Sequence, residues 1–114
     1  MRILVVEPRK HPRITEIDGS LKQMQKTVGG HIEVVYPWED NVALVCDEEA
    51  LYKHTEWNRY ICEGLAIKGT FFICGISGEN LADLPLDLAE KYMQSLYSPQ
   101  VFIRTISGVV ALDI

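Results

Sequence analysis

The sequence predicts an α+β domain, in which a mainly antiparallel β-sheet of hairpins carries two packing helices. Short runs of β-branched and apolar residues, bounded by turn residues, recur along the chain. Two segments repeat their apolar residues at helical spacing. The length of 114 residues, with 47% apolar and 24% charged residues, fits a single folded domain over residues 1–114. The predicted order is β-β-α-β-β-(long loop)-β-α-β-β.

The first predicted hairpin joins the apolar strand from Arg2 to Glu7 to the alternating run from Ile14 to Ile17. Pro8 ends the first strand because proline cannot donate a hydrogen bond to a neighbouring strand. The residues from Pro8 to Pro12 then form the turn. The two strands are close enough in sequence to pair antiparallel.

A helix with a recognisable start and stop is predicted next. The side chain of Asp18 or Ser20 can accept hydrogen bonds from the first free N–H groups of the helix. Gly29 stands where the helix must end in a left-handed backbone conformation, and Gly30 releases the chain into the next strand. The predicted face repeats at helical spacing: Leu21, Met24, Gln25 and Val28.

A second hairpin and a long loop make up the middle of the chain. His31 to Tyr36 alternates as a strand, residues 37–41 form a turn, and Val42 to Cys46 is the return strand. Residues 47–68 have no clear period and mix polar with aromatic side chains, which predicts a loop. Loops of this length in compact domains are typically functional or mobile.

A central strand and a second helix follow. Residues 70–76 are apolar on both faces and therefore predict a central strand, after which residues 77–80 form a turn. Leu84–Pro85 opens the helix, because proline is tolerated in a first turn, and Ser98–Pro99 ends it. The predicted buried face of this helix consists of Leu88, Ala89, Tyr92, Met93 and Leu96.

The tail of residues 99–114 predicts a β-hairpin extension of the domain. Val101 to Ile106 and Val109 to Ile114 are β-rich, and Ser107–Gly108 between them is a hairpin turn signal. The tail has too many large apolar side chains to hang free in water. We therefore expect it either to complete the sheet or to pack on a second subunit, which leaves a homo-oligomer through residues 101–114 open.

Charge is unevenly distributed along a chain whose net charge is −5. Residues 1–26 contain six basic and three acidic side chains, a balance of +3, whereas residues 27–67 contain two and eight, a balance of −6. The acidic excess argues against general binding to a nucleic-acid backbone. It either keeps the domain soluble or meets a basic protein surface, where complementary potential selects the partner.

The expected compartment is the cytoplasm, with no membrane partner. The longest apolar runs fall far short of the roughly 20 residues that a membrane span needs. The start of the chain lacks the apolar core and cleavage site of a signal peptide. Cys46, Cys62 and Cys74 form no C-x-x-C pair, so we expect reduced and mostly buried thiols.

The sequence offers little support for catalysis, a metal or a cofactor. The three histidines are not at metal-ligand spacing with one another or with the cysteines. Cys62 with His54 could form a nucleophile pair, but the pattern favours a structural thiol. The paired acids Glu48–Glu49 and Glu39–Asp40 have no neighbours that signal burial. Since phosphate-loop and nucleophile-elbow motifs are also absent, we predict a protein that is not an enzyme.

Two groups of residues are candidates for binding. An aromatic ring can stack on a base or anchor a protein interface, Arg59 can clamp a phosphate or carboxylate, and Asn58 can read a base edge. The alternative is structural, with the aromatic rings folding the loop onto the sheet and Arg59 pairing with an acid. The candidates are Trp57, Asn58, Arg59 and Tyr60 in the loop, and Trp38, Glu39 and Asp40 at the tip of the second hairpin.

Four blocks of the chain resemble the family catalogued as domain of unknown function 3846. They are D-G-S-L-x-x-M-Q-x-x-V-G-G-H-I-E-V-V, V-A-L-V-C-D-E-E, W-N-R and G-T-F-F-I-C-G, within a span from about Arg2 to Tyr97. The resemblance implies a small protein carried by phages, plasmids and other mobile elements of Gram-positive bacteria. It brings no assigned activity and no catalytic residue. Small mobile-element proteins without enzyme motifs often bind a host component, and many of these targets belong to immune systems.

Three functions remain open from the sequence. The first is a non-enzymatic protein that binds and blocks a host defence protein through the acidic middle segment and exposed aromatic residues. The second is a sponge that sequesters a small nucleotide signal, using Arg59 with Arg9, Lys10 or Arg13 for its phosphates. The third is a small hydrolase that uses Cys62 or the paired acids.

Overall fold

The computed structural model describes residues 1–53 and 56–114. The α+β class and the predicted order of elements are confirmed, with an additional hairpin in the middle of the chain and an additional short strand before the second helix. The elements are β1 Arg2–Val6, β2 Arg13–Glu16, α1 Leu21–Val28, β3 Ile32–Val35, β4 Val42–Asp47, β5 Trp57–Cys62, β6 Leu65–Lys68, β7 Phe71–Ser77, β8 Asn80–Ala82, α2 Leu86–Ser95, β9 Gln100–Thr105 and β10 Gly108–Asp113.

An antiparallel sheet forms the centre of the fold. Its strand order is β2-β1-β7-β4-β3, and β8 pairs with the far end of β7. The strand β7 lies in the middle, as its two apolar faces predict, because Ile73 pairs with Leu4 of β1 and with Leu44 of β4. The hairpins β1–β2 and β3–β4 are those expected from the sequence.

The two helices cover opposite faces of this sheet. Met24 of α1 packs in one core cluster with Phe72, and Tyr92 of α2 packs in the other with Phe71. Because successive strand residues point to opposite faces, the adjacent residues Phe71 and Phe72 supply one large side chain to each layer. The hairpin β5–β6 lies on the same face as α2, where Ile67 joins the cluster of Phe71.

The helices begin and end close to the predicted residues. The Ser20 hydroxyl caps α1 by accepting a hydrogen bond of 3.1 Å from the backbone N–H of Gln23. Gly29 ends α1 with a φ of +87°, and its N–H donates to the Gln25 carbonyl at 2.8 Å. Pro85 immediately precedes α2 instead of standing in its first turn.

Gly30 lies at a close approach that the sequence does not reveal. A Cβ atom at this position would lie 2.6 Å from the Lys53 ammonium and 2.8 Å from Oδ1 of Asp47. Asp47 is buried and ion-paired with Lys53, and Lys53 also donates to the carbonyl of Gly29 at 3.1 Å. The second glycine therefore leaves room for the ion pair between the buried Asp47 and the partly exposed Lys53, beside the end of α1.

The predicted loop over residues 47–68 is wrong in its second half. Residues 48–53 form turns, and β5 and β6 then pair as a hairpin outside the main sheet. The pairing shifts register between Trp57 and Arg59 and again between Tyr60 and Cys62, which indicates β-bulges. The bulges conceal this strand in the sequence because they interrupt the two-residue alternation of side chains.

The C-terminal hairpin β9–β10 is a separate two-stranded sheet, hereafter the ribbon. The expectation that the tail completes the main sheet is therefore wrong. The ribbon lies beside β5, where the backbone N–H of Tyr60 donates to Oε1 of Gln100 at 2.8 Å. Its turn is at Ile106–Ser107, one residue before the predicted position.

Candidate functional site

An apolar groove between the β5–β6 hairpin and the ribbon is the main candidate for a binding site. This hairpin groove has a volume of about 440 Å³, within the range of about 300–1,000 Å³ that is typical of ligand pockets. The β5–β6 hairpin provides one wall and the ribbon provides the other. The lining side chains are Leu51, Trp57, Tyr60, Leu65, Ala66, Phe102, Val109 and Ala111, with Gly64 at the turn.

Trp57 and Phe102 connect the two walls of the groove. Their rings stack with centroids 5.6 Å apart and an interplanar angle of 25°. The ammonium of Lys68, the cross-strand partner of Trp57, lies 4.8 Å from the Trp57 ring centre. Trp57 nevertheless stays partly exposed. A large ring that is fixed by packing and still accessible is suited to anchoring a partner.

Tyr60 is the second predicted aromatic anchor, and its side chain is 48% exposed on the same groove. It pairs with Ala66 of β6, so its position is fixed by the hairpin ladder. Of the four consecutive candidates, the structure brings Trp57 and Tyr60 together on the groove. It separates them from the two polar residues between them.

Asn58 and Arg59 point into the protein, where they are 0% and 1% exposed. Asn58 Nδ2 donates to the carbonyl oxygens of Val6 at 2.9 Å and Gly69 at 2.8 Å. The bulge after Trp57 interrupts the alternation and turns two successive side chains inward. The expectation that both are exposed contact residues is therefore wrong. Asn58 attaches β5 to β1, and Arg59 is buried beside it.

The Arg59 guanidinium holds three segments together. Its Nη2 donates to the Lys10 carbonyl at 2.6 Å, its Nε to the Leu96 carbonyl at 3.1 Å, and its Nη1 to Oδ1 of Asn58 at 2.8 Å. Burial lowers the pKa of Arg59, and the negative charge of Asp113 acts in the opposite direction. The sequence left open that Arg59 pairs with an acid. Its hydrogen-bond acceptors are instead two backbone carbonyls and the side-chain amide oxygen of Asn58.

The second predicted anchor is docked on α2. The Trp38 ring centroid lies 4.5 Å from that of Tyr92. Oδ2 of Asp40 accepts hydrogen bonds of 2.6 Å from the Lys91 ammonium and from the Tyr92 hydroxyl. These bonds, that from Lys91 first, hold the pKa of the Asp40 carboxyl below its usual range. The contacts of Trp38 and Asp40 attach the β3–β4 connection to α2. Glu39, which lies between them in the sequence, is exposed.

The three residues predicted as phosphate contacts do not converge. Arg9 Nε pairs with the Glu56 carboxylate at 3.1 Å, while Lys10 and Arg13 pair with Glu7 at 3.5 Å and 3.2 Å. Arg9 borders a cavity of about 310 Å³ beside the hairpin groove. Arg13 lines a different cavity of about 310 Å³ between β2 and α1. A single site that uses all three cations is therefore absent from the described part of the chain.

The residues considered for catalysis are not assembled into a site among those that the structure describes. Burial raises the pKa of Cys46 to about 11 and that of Cys74 to about 12, so both stay protonated at neutral pH. Cys62 is partly exposed at the end of β5, and its proposed partner His54 lies outside the described residues. Glu48–Glu49 is exposed after β4.

Within residues 1–53 and 56–114, no group of three or more His, Cys, Asp or Glu side chains could hold a metal ion. No helix in these ranges is long and apolar enough to cross a bilayer.

Sequence reasoning missed the half of the groove that the ribbon and β6 provide. The missed lining residues include Phe102, Val109 and Ala111 of the ribbon and Leu65 of β6. The position of the Lys68 ammonium over Trp57 was also missed. The signal for the ribbon itself was present, because Val101 to Ile103 and Val109 to Leu112 are apolar runs on either side of a turn.

Comparison with known proteins gives the family. The model of the family described as Domain of unknown function (DUF3846) matches residues 1–97. This span holds the main sheet, both helices and the β5–β6 hairpin, and it ends before β9. No curated protein and no solved structure matches the chain. The chain therefore belongs to the DUF3846 family, and its ribbon lies beyond the residues that the family model matches.

Proposed function

We propose that this protein is a non-enzymatic binding protein that holds a host protein against the hairpin groove. The observation that supports the proposal is the partly exposed Trp57, stacked on Phe102 where the two walls of the groove meet. Aromatic anchors near the centre of an interface contribute most of its binding energy. Tyr60 supplies a second anchor on the same wall.

The anchors are positioned before any partner arrives. Asn58 and Arg59, which lie between them in sequence, are buried and hydrogen-bonded to β1, α2 and the loop after β1. A contact surface that is already ordered loses less conformational entropy on binding. The two polar residues thus act behind the groove, as positioning residues for Trp57 and Tyr60.

Charge around the groove indicates the chemistry of the partner. Glu48, Glu49 and Glu63 are exposed near groove residues in the sequence, and they have no ion pair within the described residues. Exposed carboxylates close in sequence to an apolar groove favour a partner whose apolar contact residue is surrounded by lysine or arginine. The proposed partner is therefore a protein with a basic surface.

The proposed setting is the cytoplasm of a Gram-positive bacterium that carries a phage or another mobile element. There the protein would bind and block a component of host defence. This setting comes from the resemblance of the sequence blocks to small mobile-element proteins. Blocking requires affinity for the target and coverage of its surface, and an apolar groove with two aromatic anchors is suited to both.

Native mass spectrometry tests the proposal, using protein purified gently from such a host. We expect a retained host protein in the wild type and its loss in Trp57→Ala. Tyr36→Ala is the matched control, because Tyr36 is 63% exposed and lies outside the groove. Retention that is unchanged in Trp57→Ala would contradict the proposal. The association rate of the retained partner should also fall as salt is added.

A nucleotide sponge is the second candidate, because Arg9 and Trp57 border one cavity of about 310 Å³. The Trp57 ring could stack on a base while Arg9 exchanges its pairing with Glu56 for a phosphate. The same spectra separate this candidate from the first. A small adduct that is lost in Arg9→Ala and kept in Arg13→Ala, whose cation lines another cavity, would favour the sponge.

A further inference from the structure

We infer that the outer face of the ribbon is a contact surface between two copies of this chain. Two cross-strand pairs form that face, Ile103 with Val110 and Val101 with Leu112. All four side chains are aliphatic and 38–48% exposed. Patches of exposed apolar side chains at this density typically mark interaction sites.

The charged residues of the ribbon all lie on its other face. Arg104 pairs with Val109, and Asp113 pairs with Gln100, in the rows that alternate with those of the outer face. Phe102 belongs to the same inner face and stacks on Trp57. The ribbon therefore has one face that lines the hairpin groove and one face that has no charged side chain.

The uncharged face selects a second copy as its occupant. Two chains of net charge −5 repel each other wherever their carboxylates meet. Contact through faces without charge keeps this repulsion lowest, and an aliphatic face is complementary to itself under a two-fold axis. A basic or acidic partner would gain no charge pairing on this face.

The size of the face sets the expected affinity. Two strands of six residues, with a rise of about 3.3 Å per residue and a spacing of about 4.8 Å, present a face of about 20 by 10 Å. Ile106 and Ile114 are exposed at its two ends and extend it. A face of about 200 Å² per copy, enlarged by these two residues, is far below the roughly 800 Å² per partner of a standard interface, so we expect a weak dimer that forms as the concentration rises.

The limited stability of the ribbon by itself favours this contact. An isolated two-stranded hairpin is marginally stable in water. Covering the outer face would stabilise the ribbon, and with it one wall of the groove.

Sedimentation velocity of the full chain tests the inference, at concentrations on the order of 1 to 100 µM. We expect the average mass to rise with concentration from 12.9 kDa towards twice that value. Ile103→Lys should stay at 12.9 kDa throughout, because it places like charges opposite each other. Leu21→Lys is the control, since Leu21 is 55% exposed on α1, and it should behave as the wild type.

Two additional measurements distinguish the loss of a contact surface from unfolding of the ribbon. Val110→Thr keeps the side-chain shape and strand propensity and should weaken association several-fold. Mixing Ile103→Lys with Ile103→Glu should restore association, because opposite charges then meet. A wild type that stays at 12.9 kDa would overturn the inference. So would variants with wild-type circular dichroism that associate as strongly as the wild type.

Discussion

The side-chain oxygen of Asn58 accepts a hydrogen bond of 2.8 Å from the guanidinium of Arg59, the next residue along the chain. Successive side chains of a regular strand point to opposite faces and do not meet in this way. The bulge in β5 places both inside, where Asn58 reaches the carbonyl of Val6 and Arg59 that of Leu96. This polar pair attaches the aromatic wall of the groove to the body of the protein.

Removal of the Arg59 guanidinium should destabilise the fold without a direct effect on any ligand contact. In Arg59→Met the aliphatic stem is kept, but the carbonyls of Lys10 and Leu96 lose their donor in a buried place. We expect the free energy of unfolding to fall by about 2–4 kcal/mol. Urea unfolding measures the change. Arg104→Met is the control, because Arg104 is exposed, and it should stay within about 0.5 kcal/mol of the wild type. If the two variants were equally stable, the buried hydrogen bonds of Arg59 would contribute no stability, and its structural role would be contradicted.

The two glycines after α1 should respond differently to alanine. Gly29→Ala should lower the free energy of unfolding by about 1 kcal/mol. The positive φ is the only cause, because nothing lies within 4 Å of the added Cβ. Gly30→Ala should cost about 1–3 kcal/mol, because its Cβ meets Asp47 and Lys53.

A double-mutant cycle separates these two causes. In an Asp47→Ala background the cost of Gly30→Ala should fall, while that of Gly29→Ala should not change. Additive costs for Gly30→Ala and Asp47→Ala would mean that the close approach does not constrain position 30.

Stability should depend on acid pH through Asp47. Burial alone would raise the pKa of this carboxyl, but hydrogen bonds from the Lys53 ammonium and from the backbone N–H of Glu49 lower it below its usual range. A folded pKa below the unfolded value of about 3.9 gives stability that is present above pH 4 and lost as the pH falls through the folded pKa.

Urea midpoints measured from pH 7 downwards test this dependence. Asp47→Asn should be less stable than the wild type at pH 7, and the difference should narrow below about pH 4 as the wild-type carboxyl takes up its proton. A difference that stays constant down to about pH 2 would show that the ionised carboxyl contributes no stability.

The sequence predicted those features whose causes are local. The stop at Gly29 and the central position of β7 follow from a glycine after a helix and from a strand that is apolar on both faces. The inward turn of Asn58 and Arg59 could not be predicted. It depends on a bulge and on carbonyl groups of residues such as Val6 and Leu96, which are distant along the chain.

Only one wall of the groove was predicted, because its two walls are also distant along the chain. Trp57 and Tyr60 were recognised from the types of their side chains, but the opposite wall begins about forty residues later in the sequence. Phe102 could be assigned to an apolar strand, whereas its stacking on Trp57 depends on how two separate hairpins are placed. Pattern identifies such a residue as apolar, and only the fold shows which residue it meets.

Photo-cross-linking from position 60 tests most directly whether the hairpin groove holds a partner. A benzophenone amino acid would replace Tyr60 in one protein and Tyr36, which is exposed outside the groove, in a second. Both proteins would be irradiated in the host cell. If the groove holds a partner, we expect one specific adduct from position 60 that disappears when Trp57→Ala is added, and none from position 36. Cross-links from position 36 alone, or adducts from position 60 that are indifferent to Trp57→Ala, would contradict this expectation.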